Sequence, residues 1–379
     1  MEIVFSFLSD YKNILLVLLC LSTLVQLFYF FFFYFRFVFH KPAPANDQKV
    51  KVSVIICAKN EADNLSQNLS LVLEQDYADF EVIVVNDGSS DGTEILIHDF
   101  RQKYSHLRTT NIPEDRNFSH AKKLAVTVGI KAAKYEWLLF TDADCKPESN
   151  QWIQTMKDHF TDKNSIVLGY GGYLREKGLL NNYIRFETVY IALQYMSFAL
   201  GGFPYMAVGR NMAYRKALFF ENKGFSNHHH VLSGDDDLFI NDVATGQNTD
   251  VEFRSLSHTR SLAEKTLKQF VKQKRRHLTT PTYYKTKNKF LLGLESFSRI
   301  LFYVSGIWLL SINHLIIITL PVFALRELLF LIVYKTAMNK LKEKKLLLTS
   351  LIFDILVPLF NGFLLLTNGK TVKKNNSWK

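Results

Sequence analysis

The chain has 379 residues and a mass of 43.9 kDa, enough for two or three soluble domains of average size. Apolar residues make up 48% of the sequence and aromatic residues 14%, yet 21% of the residues are charged. This mixture excludes a wholly membrane-embedded protein and a disordered chain, and it predicts a water-soluble part joined to apolar segments. The net charge of +11 favours nucleic acid, an anionic membrane surface or an anionic substrate as a partner.

An uncharged apolar segment, residues 14–35, comes first along the chain. A helix of this length spans roughly 33 Å, which exceeds the hydrocarbon core of a bilayer at about 30 Å. A cleaved signal peptide would end in small residues, whereas this segment ends in Phe and Tyr. The sequence therefore predicts an uncleaved membrane anchor over residues 1–40. Because most of the neighbouring Lys and Arg residues follow the segment, the positive-inside bias places the next domain in the cytoplasm.

Residues 50–256 contain short apolar runs that alternate with helical patterns. This alternation predicts an α/β domain with a mostly parallel sheet flanked by helices. Three of the runs end in polar residues, at the edge where a parallel sheet presents its strand ends to ligands. The three runs are VSVIICAKNE at 52–61, FEVIVVNDGSSDGT at 80–93 and YEWLLFTDADCKP at 135–147.

The second of these runs ends in Asn86 and Asp87, followed by a glycine-serine turn. A carboxylate there can accept hydrogen bonds from a base or a ribose, and glycine lets the backbone approach a nucleoside closely. A capped strand-to-helix turn explains the same residues equally well. No GxGxxG follows the first strand, which argues against a nucleotide-dependent oxidoreductase.

The third run ends in Asp142 and Asp144, which flank one small residue. Two carboxylates at one strand end can point toward a single divalent ion, and burying them without a cation would be costly. Oxygen ligands of this kind are typical of Mg²⁺ or Mn²⁺, which can also bind a substrate diphosphate. The alternative is a pair of loop caps.

Two further polar segments follow. The segment SGDDDLF places three carboxylates, Asp235 to Asp237, in a row, and one of them could act as a general base. A surface acidic turn is the simpler explanation. The segment QKRRH contains Gln273 and Arg276, and an arginine there could bind a diphosphate in a bidentate manner.

The end of the chain is again basic and apolar. Residues 257–290 are rich in Lys and Arg and contain spaced apolar residues, which predicts an amphipathic helix along a membrane surface. Residues 291–366 predict about three membrane-spanning helices, the first two joined by a tight turn near Asn313. One long span followed by an interfacial helix is the alternative. With three spans after a cytoplasmic domain, the basic tail, residues 367–379, would lie on the side of the membrane opposite the cytoplasm. That location conflicts with the positive-inside rule.

Taken in order, these segments resemble the membrane-bound family 2 glycosyltransferases over about residues 50–280. The resemblance rests on the ordered segments AKNE, VNDGSSDGT, AKKLA at 121–125, FTDADC, GRNMAYRK at 209–216, GDDDL and QKRRH. It implies a GT-A fold, in which a sheet binds a nucleotide-sugar and a DxD motif binds a metal. It also implies an inverting single displacement. Together with the positive-inside bias, the expected location is the inner or plasma membrane, with the domain on the cytoplasmic side.

The resemblance assigns roles by position in the motifs. The residues that it places at the nucleotide or donor are Ala58, Asn60, Glu61, Asp87, Lys122, Asp142, Asp144, Gln273 and Arg276. Of these, Asp142 and Asp144 match the DxD pair that would bind Mg²⁺ or Mn²⁺. Asp235 matches the catalytic Asp of the family, and Asp236 takes that role if the register shifts by one residue.

One position departs from the family pattern, because His277 stands where Trp is usual. In processive synthases that Trp lies near the acceptor sugar, so its absence favours transfer of one sugar to a lipid, lipid-linked or saccharide acceptor, as in the branch similar to ceramide glucosyltransferase. The expected partners are a nucleotide-sugar, such an acceptor and the membrane, without nucleic acid. A processive polysaccharide synthase and a catalytically inactive membrane scaffold are the alternatives.

Overall fold

The computed structural model describes residues 10–113, 122–231 and 233–367. They form an α/β domain and a set of long apolar helices. The predicted basic tail lies outside the described residues, apart from Thr367, and so does Ala121 of the AKKLA segment.

Within the described residues, ten strands form two sheets. The strands are β1 Val52–Ala58, β2 Phe80–Asp87, β3 Leu107–Ile112, β4 Trp137–Asp142, β5 Lys146–Pro147, β6 Ile166–Leu168, β7 Gly171–Tyr173, β8 Met212–Arg215, β9 Thr249–Val251 and β10 Thr259–Ser261. The large sheet has the order β3-β2-β1-β4-β8-β6-β9, and the small one has the order β5-β10-β7. In the large sheet β8 is antiparallel to both of its neighbours, and the other pairs are parallel. The predicted fold class is confirmed.

Twelve helices are described, numbered here along the chain. They are α1 Tyr11–Phe39, α2 Ala62–Leu73, α3 Thr93–Lys103, α4 Lys122–Ala132, α5 Trp152–Lys157, α6 Leu179–Leu200, α7 Lys216–Glu221, α8 Asp237–Val243, α9 Leu267–His277, α10 Thr286–Ser311, α11 Ile316–Lys340 and α12 Leu347–Thr367.

Helices cover both faces of the large sheet. Every residue of β1 is buried, and successive side chains point to opposite faces. Val54 lies in the core beneath α2 and α5, whereas Ile55 lies in the core beneath α4. A strand buried on both faces has no polar alternation, which explains why its sequence is a continuous apolar run. On the second face Gly129 of α4 lets the helix approach closely, since a Cβ there would lie 2.7 Å from Ile55 Cγ2.

The helices α1, α10, α11 and α12 are long and apolar enough to cross a membrane. Residues 312–315 form the turn between α10 and α11, at the position where the sequence predicts one. Three charged residues inside these helices, Arg299, Arg326 and Asp354, are buried and paired with one another. Asp354 of α12 accepts hydrogen bonds from Arg326 of α11 at 2.6 Å and from Arg299 of α10 at 2.9 Å. Gln26 of α1 accepts from Arg326 at 3.1 Å, so this network joins all four helices.

The prediction of one amphipathic helix over residues 257–290 is wrong. This segment contains β10, the helix α9 and a short turn of 3₁₀ helix before α10 begins. Two side chains of α9 pack into the protein: Lys274 is buried against Glu187 of α6 at 2.8 Å, and Phe270 is buried beside Phe360 of α12. Of the spaced apolar residues, Phe270 therefore contacts other helices of the same chain, whereas Leu262 and Leu267 are exposed.

A buried histidine links α5 to the edge strand β9. His159 is 2% exposed, and its two ring nitrogens lie 2.8 Å from Asp250 Oδ2 and 2.9 Å from Glu252 Oε2. Burial opposes the charged ring, but the two carboxylates outweigh it and raise the pKa of His159 to about 9. With both nitrogens donating, the ring is an imidazolium at neutral pH.

The stabilisation by His159 should depend on pH. The pKa of His159 is higher in the folded protein than in the unfolded chain. Its contribution to the free energy of unfolding is therefore complete below about pH 6.5 and is lost as the pH rises through about 9. At most it amounts to about 3 kcal/mol. We expect the apparent melting temperature of detergent-solubilised protein to fall over this range, and His159→Gln to make the fall shallower. The exposed His98 provides the control, and His98→Gln should leave the slope unchanged. Equal slopes in wild type and His159→Gln would contradict the assignment.

Candidate active site

Three neighbouring parallel strands end at the same edge of the large sheet. Ala58 closes β1, and the strands on either side end in Asp87 and Asp142. The register pairs Ala58 with Asn86 and Cys57 with Asp142, so the polar residues that follow the strands are adjacent. In open α/β sheets, ligands bind at this carboxyl edge.

Lys122, the first residue of α4, connects two distant carboxylates at this edge. Its Nζ lies 2.6 Å from Asp142 Oδ1 and 3.4 Å from Asp235 Oδ2. Burial opposes the ammonium, but Asp142 and Asp235 hold the pKa of Lys122 well above its ordinary value. The structure thus brings together one predicted metal ligand and the predicted base around a positive charge.

The DxD segment offers oxygen atoms for a divalent ion. One potential ligand atom from each of Asp142, Asp144 and Cys145 lies within 4.8 Å of the others. Burial and the charge of Asp144 raise the pKa of the Cys145 thiol well above its usual range, so the thiol stays protonated and donates to Asp144 Oδ1 at 3.4 Å. Desolvation and the nearby Asp142 raise the pKa of Asp144. Two carboxylates that repel each other suit Mg²⁺ or Mn²⁺, which prefer oxygen ligands.

The three consecutive carboxylates before α8 have different surroundings. Asp236 accepts hydrogen bonds from the backbone of Gly209 at 2.7 Å and of Asp237 at 2.8 Å. Burial and the charges of Asp235 and Asp237 raise the pKa of Asp236 to about 7. Asp237 accepts from the Tyr284 hydroxyl at 2.9 Å and from the Thr280 hydroxyl. Asp236 and Asp237 therefore hold the surrounding loops, whereas Asp235 faces Lys122.

The loops that follow β1 and β2 are hydrogen-bonded to each other. Asn60 has a φ of 55°, in the left-handed region that Asn tolerates, and its side chain accepts from the backbone of Ser90 at 2.8 Å. Its own backbone N–H donates to the Ser89 hydroxyl at 2.9 Å. In the same way the backbone of Glu61 donates to the Thr93 hydroxyl at 3.0 Å. These bonds fix two loops that border one polar cleft.

Asp87 lies deepest in this cleft, with 1% of its surface exposed. Lys59 Nζ is 3.7 Å from Asp87 Oδ2. Ala58 is fully buried. The nucleotide roles predicted for Ala58, Asn60, Glu61 and Asp87 stay predictions.

The helix α9 contains Gln273 and Arg276, and the charge of Arg276 acts on Asp142. Burial raises the pKa of the Asp142 carboxyl, but the positive charge of Lys122 outweighs the effect of burial. The charges of Arg210 and Arg276 lower that pKa further. Both guanidinium groups therefore lie within electrostatic reach of the DxD segment. Gln273 precedes Arg276 by about one helical turn. His277, the residue at the usual Trp position, lies exposed at the end of α9.

Arg210 is a candidate site residue that was not predicted from the sequence, although it lies in the segment GRNMAYRK. The guanidinium carbon of Arg210 lies 4.3 Å from the ring centre of Tyr173, and a Cβ at Gly171 would collide with the arginine stem. Its charge acts on both Asp142 and Asp144. The signal that could have identified it was an arginine directly after a glycine in a family motif.

Residues 53–221 match the family model described as Glycosyl transferase family 2. The chain contains a glycosyltransferase family 2 domain. The described residues after 221 add Asp235 and α9 to the cleft of this domain, beyond the matched range.

Relatives with known names match short parts of the family 2 domain. A stretch of 93 residues is 34% identical to a poly-beta-1,6-N-acetyl-D-glucosamine synthase from Staphylococcus epidermidis and covers 24% of this chain and 21% of that synthase. A stretch of 105 residues is 36% identical to glycosyltransferase AglE from Haloferax volcanii and covers 27% of this chain and 33% of AglE. The chain thus spans about a fifth to a third of the relatives that it matches.

A solved structure extends the similarity of fold to most of the chain. The mannosyltransferase PcManGT from Pyrobaculum calidifontis, in complex with GDP-Man and Mn2+, has a TM-score of 0.57 at 17% identity. The superposition covers 92% of this chain and 99% of that one. At this identity the match shows the fold alone, and it confirms the expected GT-A fold.

The different surroundings of the adjacent carboxylates predict different effects on stability. Asp236→Asn replaces one of the two accepting oxygens by an amide NH2 group and leaves one backbone N–H without an acceptor, which should lower the free energy of unfolding by about 1 to 3 kcal/mol. The comparison is made at about pH 5, because burial and like charges raise the pKa of Asp236 to about 7 and its charge above that pH would itself oppose folding. Asp235→Asn should cost less, because it removes one ion pair at 3.4 Å from a cluster of like charges. Apparent melting temperatures of the two variants in detergent test this order. A larger loss for Asp235→Asn would show that the roles are reversed.

Proposed function

We propose that this protein is a membrane-bound, metal-dependent inverting glycosyltransferase. It moves one sugar from a nucleotide-diphosphate sugar, with uridine diphosphate as the expected nucleotide, to a hydroxyl of a lipid, lipid-linked or saccharide acceptor. The observation that supports this most strongly is the position of Lys122, 2.6 Å from Asp142 and 3.4 Å from Asp235. A donor diphosphate near the DxD segment and an acceptor hydroxyl near Asp235 would then meet in one cleft.

On the donor side, the nucleoside would occupy the cleft between the loops after β1 and β2, with Asp87 accepting from its base. The diphosphate would lie near the DxD segment. Arg276 and Arg210 would stabilise the negative charge that develops on the leaving diphosphate, because both act electrostatically on Asp142. Bound Mg²⁺ or Mn²⁺, held by Asp142 and Asp144, would supply further stabilisation of that charge.

On the acceptor side, Asp235 would accept the proton of the attacking hydroxyl. Attack on the anomeric carbon from the face opposite the diphosphate inverts its configuration, and no covalent sugar-enzyme intermediate is required. Asp235 suits this role because Asp236 and Asp237 are held by backbone and hydroxyl donors. A general base of this kind contributes about 10² to 10⁴ in rate.

The acceptor would come from the membrane. The helix α9, which contains Gln273 and Arg276, packs through Phe270 onto Phe360 of α12, at a ring distance of 6.0 Å. The cleft is therefore close in the structure to a helix that is long enough to cross a membrane.

We assign the family 2 domain to the cytoplasmic side. The loop between α11 and α12 contains Lys342, Lys344 and Lys345, which the positive-inside rule places in the cytoplasm. Glu343 of this loop is 4% exposed and contacts Arg185 and Arg260 of the domain. The loop and the domain would then share one side of the membrane.

A processive polysaccharide synthase is the second candidate, favoured by the similarity to poly-beta-1,6-N-acetyl-D-glucosamine synthase over 93 residues. His277 in place of the usual Trp favours single transfer. Sizing the products after incubation with donor and acceptor separates the two, because a ladder of lengths would require polymerisation.

The function can be tested on detergent-solubilised full chain with Mn²⁺ or Mg²⁺. A set of nucleotide-sugars is offered with a membrane lipid extract as acceptor, and release of nucleoside diphosphate is measured. We expect release with a uridine diphosphate sugar and loss of release after chelation of the metal. Absence of release with every donor, from protein that still binds a nucleoside diphosphate, would favour the inactive scaffold.

Asp235→Asn should keep donor binding and lose transfer by about 10² to 10⁴. The reason is that the substitution removes the proton acceptor and leaves the DxD segment intact. Turnover and binding of uridine diphosphate measured on the same preparation check this. Near-native turnover would show that Asp235 is not the base.

Asp144→Ala should weaken metal binding and donor binding together, because it removes one of two oxygen ligands. Titration of Mn²⁺ at a fixed donor concentration should show a higher half-saturating concentration. Asp91→Ala is a matched control, since Asp91 caps the loop by accepting from Ala62 and Thr93 and belongs to neither proposed role. An unchanged Mn²⁺ dependence in Asp144→Ala would exclude Asp144 as a ligand.

A further inference from the structure

A cationic cavity lies where the family 2 domain meets the loop between α11 and α12. It has a volume of about 640 Å³, and its lining residues are Arg175, Glu176, Lys177, Gly178, Asn182 and Lys345. Three of the four charged side chains are cations. Arg175 to Asn182 come from the segment between β7 and the start of α6, whereas Lys345 comes from the loop between the membrane helices.

Buried ion pairs hold the two walls of this cavity together. Glu343, two residues before Lys345, contacts Arg185 of α6 and Arg260 of β10. The three side chains are at most 5% exposed. Arg185 also donates to the backbone of Lys344 at 3.2 Å. Because breaking a buried pair leaves an uncompensated charge, the loop that contains Lys345 is held against α6 and β10.

The cavity lies beside the start of α12, a helix that is long enough to cross a membrane. Lys345 precedes α12, which starts at Leu347. The apolar side chains next to the cavity point outward: Leu179 is 70% exposed and Leu348 is 87% exposed. A cationic cavity bordered by exposed leucines has the chemistry of an amphiphile, with an anionic group in the cavity and acyl chains along the leucines.

The surroundings add to the positive charge. Lys342 and Lys344 lie in the same loop and are exposed, and Glu176 is the one carboxylate that lines the cavity. Each basic residue near an anionic membrane surface contributes about 1 kcal/mol to attraction. The first residues of α6 also direct backbone N–H groups toward Gly178, and this end of a helix favours anions.

We propose that this cavity binds the phosphate group of an anionic membrane lipid and so fixes the family 2 domain against the bilayer. None of the residues that line this cavity has a role in the proposed transfer. Phosphate is the shared chemistry of a lipid headgroup and of a free phosphate, and the exposed leucines favour the lipid.

The experiment uses the full chain in a neutral detergent. The protein is titrated with dioctanoyl phosphatidylglycerol, with dioctanoyl phosphatidylcholine and with inorganic phosphate, and binding is measured by the shift in melting temperature and by native mass spectrometry. We expect phosphatidylglycerol to bind at least about tenfold more tightly than the other two. Inorganic phosphate that binds as tightly as phosphatidylglycerol would overturn the lipid assignment.

The variant Arg175→Gln/Lys177→Gln/Lys345→Gln should weaken phosphatidylglycerol binding by about tenfold or more. The matched control, Arg101→Gln/Lys103→Gln/Lys131→Gln, removes the same charges from exposed positions on α3 and α4 and should bind as wild type does. Equal binding by the cavity variant and the control would overturn the proposal. Should the triple variant fold poorly, the single reversals Lys177→Glu and Lys345→Glu give the same test, since both side chains are exposed.

Discussion

The ammonium of Lys122 is the interaction on which the cleft depends. Asp142 is the last residue of β4 and Asp235 lies in a turn before α8, and the two carboxylates would repel each other without a cation between them. Lys122 can hold both because α4, which contains it, is fixed on the sheet by the close approach at Gly129. Packing on one face of the sheet thus positions the charge that joins two distant segments.

The same rule, that a buried charge needs a partner, organises the membrane half of the molecule. Asp354 holds Arg299 and Arg326 inside the helical bundle, and Glu343 holds Arg185 and Arg260 where the bundle meets the domain. Charges of this kind are expensive in an apolar environment, and removing one partner costs more than the pair contributes. The ion pairs therefore specify which helices meet and at what height the domain contacts them.

Sequence could predict the strands and their polar ends, because a strand buried on both faces is a continuous apolar run and its loop must be polar. It could not distinguish the roles of Asp235 and Asp236. Asp236 differs from Asp235 because it accepts a hydrogen bond from the backbone of Gly209, which is distant in the chain. It was wrong about a single helix over 257–290, because periodicity shows that one side of a helix is apolar but not what covers it. Phe270 is covered by Tyr183 and Phe360 of the same protein.

The position of α9 makes the membrane helices part of the cleft. Phe270 is buried between Tyr183 of α6 and Phe360 of α12, and Lys274 on the next turn is paired with Glu187 of α6. A rotation of α9 would break the Lys274 pair and leave two buried charges uncompensated, so the helix has one orientation. Arg276, two residues after Lys274, is directed by this orientation. The packing of α12 on α9 thus determines where a guanidinium lies relative to the DxD segment, and the membrane bundle acts on the geometry of the cleft as well as anchoring the domain.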